Sequence, residues 1–165
     1  MIINSLHRLL LLVVLCLSQA LVFNRIQIFN CATPLVYVYF AIIVPRGYPK
    51  WASLLWAFLM GVGVDAFNNT PGLASASMTL IAALQPYLLE LFLPRDAEEN
   101  IKASMAALGG GNFALLAVIL VTIYCVVFFT LEVFSFFNWL HWLSCIGGSI
   151  LLTLALVFTF ESVRR

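Results

Sequence analysis

Charge is what this chain has least of. Of its 165 residues, 9% are Asp, Glu, Lys or Arg, against 64% hydrophobic. A soluble domain carries about 25% charged residues. The shortage, with a mean hydropathy of +1.08, excludes an ordinary water-exposed surface and predicts a polytopic membrane protein. The net charge of +1 is uninformative alone, so the placement of the few charges carries the argument. No basic patch is interleaved with aromatics, which leaves nucleic-acid binding without support.

Catalytic and metal-binding patterns are missing too. Cys16, Cys31, Cys125 and Cys145 form no C-x-x-C pair, and no histidine sits near them in ligand spacing. Three lie in apolar runs and read as small hydrophobes. His7 and His141 stand alone at segment ends. No Ser/His/Asp set, matched carboxylate pair or phosphate loop occurs. The expectation is a protein that is not an enzyme and holds no metal or cofactor.

What is abundant is apolar sequence in long runs. A membrane-crossing helix needs about 20 mostly apolar residues. The charge-free stretches predict an all-α, six-helix integral membrane domain over residues 1–165, with helices near 9–23, 34–44, 51–67, 71–93, 113–131 and 139–160. The second, with core "PLVYVYFAIIV", is the shortest. It is tilted, extended backwards through "IQIFN", or only half-spanning. The start, "LLLLVVLCLSQA", has a second reading as a signal peptide, with basic residues ahead and Ser18 and Ala20 in cleavage-like spacing. Its apolar run continues through "LVF", which favours a helix.

Orientation follows from Lys and Arg in the loops. With the N-terminus inside, the inner side holds Arg8, Arg46, Lys50, Arg95, Lys102, Arg164 and Arg165, and the outer side only Arg25. Both termini are therefore expected in the cytoplasm. Thr70 is placed to cap the fourth helix, with Pro71 at its first position. Gln85-Pro86 predicts a kink there, with the freed backbone groups met by neighbouring helices. "PRDAEENIK" (94–102) reads as a solvated or amphipathic inner loop, and "GGGN" (109–112) as a flexible break. Trp51, Trp56, Trp139 and Trp142 fall near helix ends, as an aromatic belt requires.

The third helix has a readable ridge. Ser53, Ala57, Gly61 and Asp65 are spaced four apart. Small residues at that spacing let another backbone approach, and polar ones hydrogen-bond across helices. Gly72 and Ala76 repeat the spacing early in the fourth helix. These residues, with Pro71, are the candidates for helix packing or partner contact. An acid at membrane depth needs a partner. One reading is an ion pair between Asp65 and Arg25, shared with Glu132. The other has Asp65 accepting backbone N–H bonds from the "NNTPG" turn. A structural acid fixing a helix pair competes here with a proton-relay or ligand-binding one.

The stretch "ATPLVYVYFAIIVPRGYPKWASLLWAFLMGVGVDAFNNTPGLASASMTLIAALQPYLLELFLPRD", residues 32–96, resembles the MreD family of rod shape-determining membrane proteins, in its Bacteroidetes-type branch. Gly61, Asp65, Gly72 and Ala76 match the family's Gly, Asp, turn and small-residue pattern, supported by "TPG" and "LPRD". The other helices agree in length and hydropathy only. The branch often has a basic residue before the proline, where this chain has Gln85.

The resemblance implies a non-enzymatic bacterial inner-membrane scaffold of the cell-elongation complex that helps organise peptidoglycan synthesis and cell shape. It implies an MreC-like bitopic partner, a SEDS-type glycan polymerase, a penicillin-binding transpeptidase and an MreB-like cytoskeleton, in a surround of membrane lipids. The family's fold is similar to that of the substrate-binding S components of ECF vitamin transporters, which supplies the alternative function. S components carry an AxxxA-type face on the first helix and a polar, aromatic outer pocket. Here the first helix offers only Ala20 and the outer loops are short, which favours MreD.

Overall fold

A computed structural model describes residues 2–22, 33–93, 103–133 and 138–164. The order is α1 (Ile2–Leu21), α2 (Val38–Ile42), α3 (Lys50–Asn68), α4 (Leu73–Phe92), α5 (Met105–Leu108), α6 (Gly110–Val133) and α7 (Trp139–Arg164). No strand occurs among the described residues.

The long helices follow from apolar runs that lack internal breakers. In α6, Phe113, Leu116, Ala117, Leu120, Val121, Tyr124 and Cys125 are buried, the stripe that a period of 3.6 turns towards a core. Its outward positions are also apolar: Leu115, Val118 and Val126 are exposed. The same holds on α3, where Leu55, Phe58, Leu59 and Val62 face out. An apolar outer surface is what hydrocarbon, not water, requires. Among the described residues, three helices are long and apolar enough to cross a membrane: Lys50–Asn68, Gly110–Glu132 and Trp139–Val163. Leu6–Leu21 is a shorter apolar helix. These mark the chain as a membrane protein. α4 matches α3 in length, but its hydroxyls, Gln85 and Glu90 dilute its apolar character.

The largest departure from the sequence reading is the second helix. Of the expected span 34–44, only the five residues Val38–Ile42 are α-helical. Residues 33–37 are coil and turn. This segment is nevertheless the most buried part of the chain, with Val36, Val38 and Ile42 at 0% exposure. Five residues rise about 7.5 Å, far short of the roughly 30 Å of a hydrocarbon core. Non-helical backbone at such depth is tolerated only when protein surrounds it and satisfies its polar groups.

The surrounding helices do satisfy it. The Thr33 amide donates to Ser149 Oγ (3.2 Å) and the Leu35 amide to Thr153 Oγ1 (3.1 Å), both on α7. Gln19 of α1 accepts from the Val36 amide (3.2 Å) and donates to the Pro34 carbonyl (2.9 Å). Gln85 of α4 donates to the carbonyls of Ile42 (3.3 Å) and Val44 (3.0 Å). Gln19, Gln85, Ser149 and Thr153 are all buried. Their polarity costs little because each meets a backbone group that would otherwise be orphaned. Gln85, beside Pro86 within α4, thus answers the carbonyls at the end of α2 and just beyond it.

Other boundaries shift locally. α1 begins at Ile2, ahead of the expected residue 9. The predicted break at 109–112 narrows to Gly109, at φ 80°, while Gly110 to Asn112 already belong to α6. The loop 94–102 lies outside the described residues, as does "IQIFN".

Two ends of the bundle can be named. At one, the Arg8 guanidinium lies over the ring of Tyr48, just before α3. Lys50, at the start of α3, lies over Tyr87 near the end of α4. At the other, Asp65 joins the end of α3 to the start of α4. We call these the Arg8 end and the Asp65 end.

Candidate functional site

The α3–α4 pair is the most extensive helix contact in the molecule, and the expected ridge lies inside it. Ser53, Ala57, Gly61 and Asp65 are all buried. At Gly61 the helices touch backbone to backbone. A Cβ built there would lie 2.3 Å from Ser75 Cα and 2.6 Å from Ser75 N. Glycine is required for that approach.

One turn later the ridge ends in Asp65, 6% exposed. Its carboxylate accepts from the amides of Gly72 (3.2 Å), Ala74 (2.8 Å) and Ser75 (3.0 Å). It also accepts from the hydroxyls of Ser75 (2.8 Å) and Thr70 (3.2 Å). The three amides are among those that the start of α4 leaves without helical partners. The residue at the N-cap position of α4 is Gly72, at φ 92°, which has no side chain to cap with. Asp65 does the capping from the preceding helix. Its negative charge sits at the positive end of the α4 dipole, compensated by five charge-assisted bonds. The expected cap, Thr70, is therefore corrected: its hydroxyl donates to Asp65, and α4 begins at Leu73.

The turn between the helices completes the unit. Asn69 closes α3 in the left-handed region (φ 55°), and its amide and that of Thr70 donate to the Asp65 carbonyl. Of the two readings of Asp65, these bonds are those of an acid fixing a turn and a helix pair. The proposed partner Arg25 lies outside the described residues, so the ion pair is not described. Glu132 stands at the far end of α6, exposed.

The side chains of Pro71 and Ala76 are exposed, as is Gly72, whose amide bonds to Asp65. On α4, it is the buried Ala74 and Ser75 whose backbone lies against Gly61 of α3. Gly72 and Ala76 instead line an open groove of about 590 Å³ with Phe58, Ser75, Thr79, Leu80 and Ala83. The small-residue ridge of α3 is thus buried, while Gly72 and Ala76 of α4 are exposed.

A second buried acid escaped the sequence reading. Glu161, 4% exposed near the end of α7, accepts from the Tyr39 hydroxyl (2.7 Å) and the Met105 amide (3.1 Å). It pins α2 and the start of α5 to α7. The signal was present: Ser149, Thr153, Val157 and Glu161 are spaced four apart, and all are buried. At the level between the two acids, the hydroxyls of Tyr37 and Tyr124, both fully buried, hydrogen-bond to each other.

Asp65, Glu161, Gln19 and Gln85 each answer backbone groups of the chain, whereas Tyr37 and Tyr124 answer each other. Cys16, Cys125 and Cys145 are free thiols, buried in the core. No group of three His, Cys, Asp or Glu that could hold a metal occurs among the described residues. Comparison with protein-family models, curated proteins and solved structures finds no match.

Proposed function

We propose that this chain is a non-enzymatic membrane scaffold of the bacterial cell-elongation complex, of the MreD type. The reading rests on the resemblance over residues 32–96. The observation that carries it is the use of Asp65: all five of its bonds hold α3 and α4 together. A transport or relay carboxylate faces a cavity or pathway; this one is a structural joint. It stands where the resemblance is sharpest, which suits a rigid helix pair on which partner helices assemble.

The proposal includes six crossings with both termini in the cytoplasm. Supporting it, α1 leaves the Arg8 end and α3 starts again from that end, and residues 33–44 run from Gln19 of α1 to Gln85 of α4. The cations Arg8, Arg46 and Lys50 gather at the Arg8 end, the side that a positive-inside bias assigns to the cytoplasm. The proposed partners are an MreC-like bitopic protein, a SEDS glycan polymerase with its transpeptidase, and an MreB-like cytoskeleton.

Depletion in a rod-shaped native host without a second copy tests the function. Rounding and loss of elongation are expected, and unchanged rods overturn the proposal. Co-purification separates it from an ECF-type S component. Recovery of a bitopic coiled-coil partner supports the scaffold, whereas recovery of an ATPase module with a bound vitamin replaces it.

A further inference from the structure

We propose that the Arg8 end carries a binding site for the phosphate of an anionic phospholipid headgroup, formed by Arg8 and Lys50 on an aromatic frame. This goes beyond the scaffold reading and depends only on the bundle lying in a membrane.

The frame is built from three elements. Arg8 Cζ stands 3.7 Å from the centroid of the Tyr48 ring. The Tyr48 hydroxyl accepts from Trp56 Nε1 at 3.1 Å, which ties that ring to α3. Lys50 Nζ stands 4.6 Å from the centroid of Tyr87 on α4. Stacking on a ring fixes a cation in place but fills none of its N–H donors. A guanidinium has five donors and an ammonium three. Neither cation is ion-paired with an acid among the described residues. Glu90, the acid one turn beyond Tyr87, is exposed and unpaired with Lys50. The pair therefore presents fixed positive charge with open donors, in a planar fork on the Arg8 side that matches phosphate oxygens.

Position selects a lipid as the source of that phosphate. Arg8 directly precedes the apolar run of α1, and Lys50 opens the membrane-length helix α3. Lys50 thus sits at a helix end, and Arg8, within the second turn of α1, has a stem long enough to carry its head to the same interface. Trp51 is 72% and Tyr87 62% exposed, amphipathic rings at the depth where such residues anchor. Beyond them, Leu55 and Phe58 are exposed along α3, an apolar surface for acyl chains. Two cations at one end of the bundle favour a headgroup of net negative charge over a zwitterionic one.

The test uses the full chain purified in neutral detergent, titrated with phosphatidylglycerol, with phosphatidylcholine, and with inorganic phosphate. Unfolding temperature and lipid adducts in native mass spectrometry are read. Phosphatidylglycerol should raise the unfolding temperature and stay bound, at least fivefold more tightly than phosphatidylcholine. Arg8→Gln combined with Lys50→Gln should abolish that preference, and Arg8→Lys should keep part of it. Each single Gln variant serves if the double variant does not fold. Equal effects of the two lipids, or a preference that survives both single variants, would overturn the proposal. Inorganic phosphate matching phosphatidylglycerol would reassign the site to a soluble anion and overturn it equally.

Discussion

The backbone of Gly61 rests directly on that of Ser75, so close that a Cβ on Gly61 would lie 2.3 Å from Ser75 Cα. Neither main chain can yield as a flexible side chain would. Gly61→Ala must push α4 away from α3 or shift it along the seam, and that also disturbs the bonds from Ala74 and Ser75 to Asp65 one turn later. Overpacking costs about 1–3 kcal/mol. The loss should appear as a lower unfolding temperature in detergent. Gly147→Ala is the control. That glycine is in mid-helix on α7, with nothing within 4 Å of a built Cβ. There alanine should be neutral or stabilising, by at most about 1 kcal/mol.

Removing the acceptor at Asp65 leaves several buried donors unanswered. Asp65→Ala strands the amides of Ala74 and Ser75, each unsatisfied group costing about 1–3 kcal/mol. Asp65→Asn keeps one acceptor oxygen but turns an NH2 group towards donors. It should be destabilised less than the alanine variant and still clearly below wild type. Membrane levels and detergent unfolding check the order. An Asn variant as stable as wild type would mean that the negative charge contributes nothing at this helix start.

The same geometry bears on a charge exchange with Arg25. An arginine at position 65 would bring donors against the donors of Gly72, Ala74 and Ser75. Combining Asp65→Arg with Arg25→Asp should therefore assemble no better than Asp65→Arg alone. Rescue by the double exchange, measured as membrane level and monodispersity, would establish the ion pair as the stronger tie.

Legibility in the sequence divides along physical lines. Helices α3, α4, α6 and α7 were readable within a few residues, because long uncharged runs bounded by turns allow little else. The ridge ending in Asp65 was readable from spacing alone, since four residues bring a side chain back to the same face. What answers Asp65 was not readable, because an arginine and a set of backbone amides serve a carboxylate equally well on paper. The central segment 34–44 was expected to be one helix, spanning or half-spanning, and only Val38–Ile42 is α-helical. The segment is apolar and uncharged, as α6 largely is, and what breaks it is supplied from elsewhere. Gln19, Ser149 and Thr153 offer its backbone an alternative to helical bonds, across up to 118 residues of chain. No local pattern around Val36 reports on a threonine in the last helix.

That reliance on distant side chains yields the last prediction. Gln85 reaches both the Ile42 and the Val44 carbonyls, and the Leu35 amide depends on Thr153. Gln85→Met fills similar volume without donors, and Thr153→Val does so without the hydroxyl. Each should cost about 1–3 kcal/mol for the buried group left unpaired. The effect should be local before it is global, because the segment's few internal hydrogen bonds cannot replace those lost. Hydrogen exchange should therefore quicken in a peptide covering residues 33–44, in both variants, while α3 stays protected. Thr153→Ser keeps the hydroxyl and should leave exchange close to wild type. Were Thr153→Val to leave that peptide unchanged, the non-helical backbone would have to be held by packing of Tyr37, Val38 and their neighbours alone.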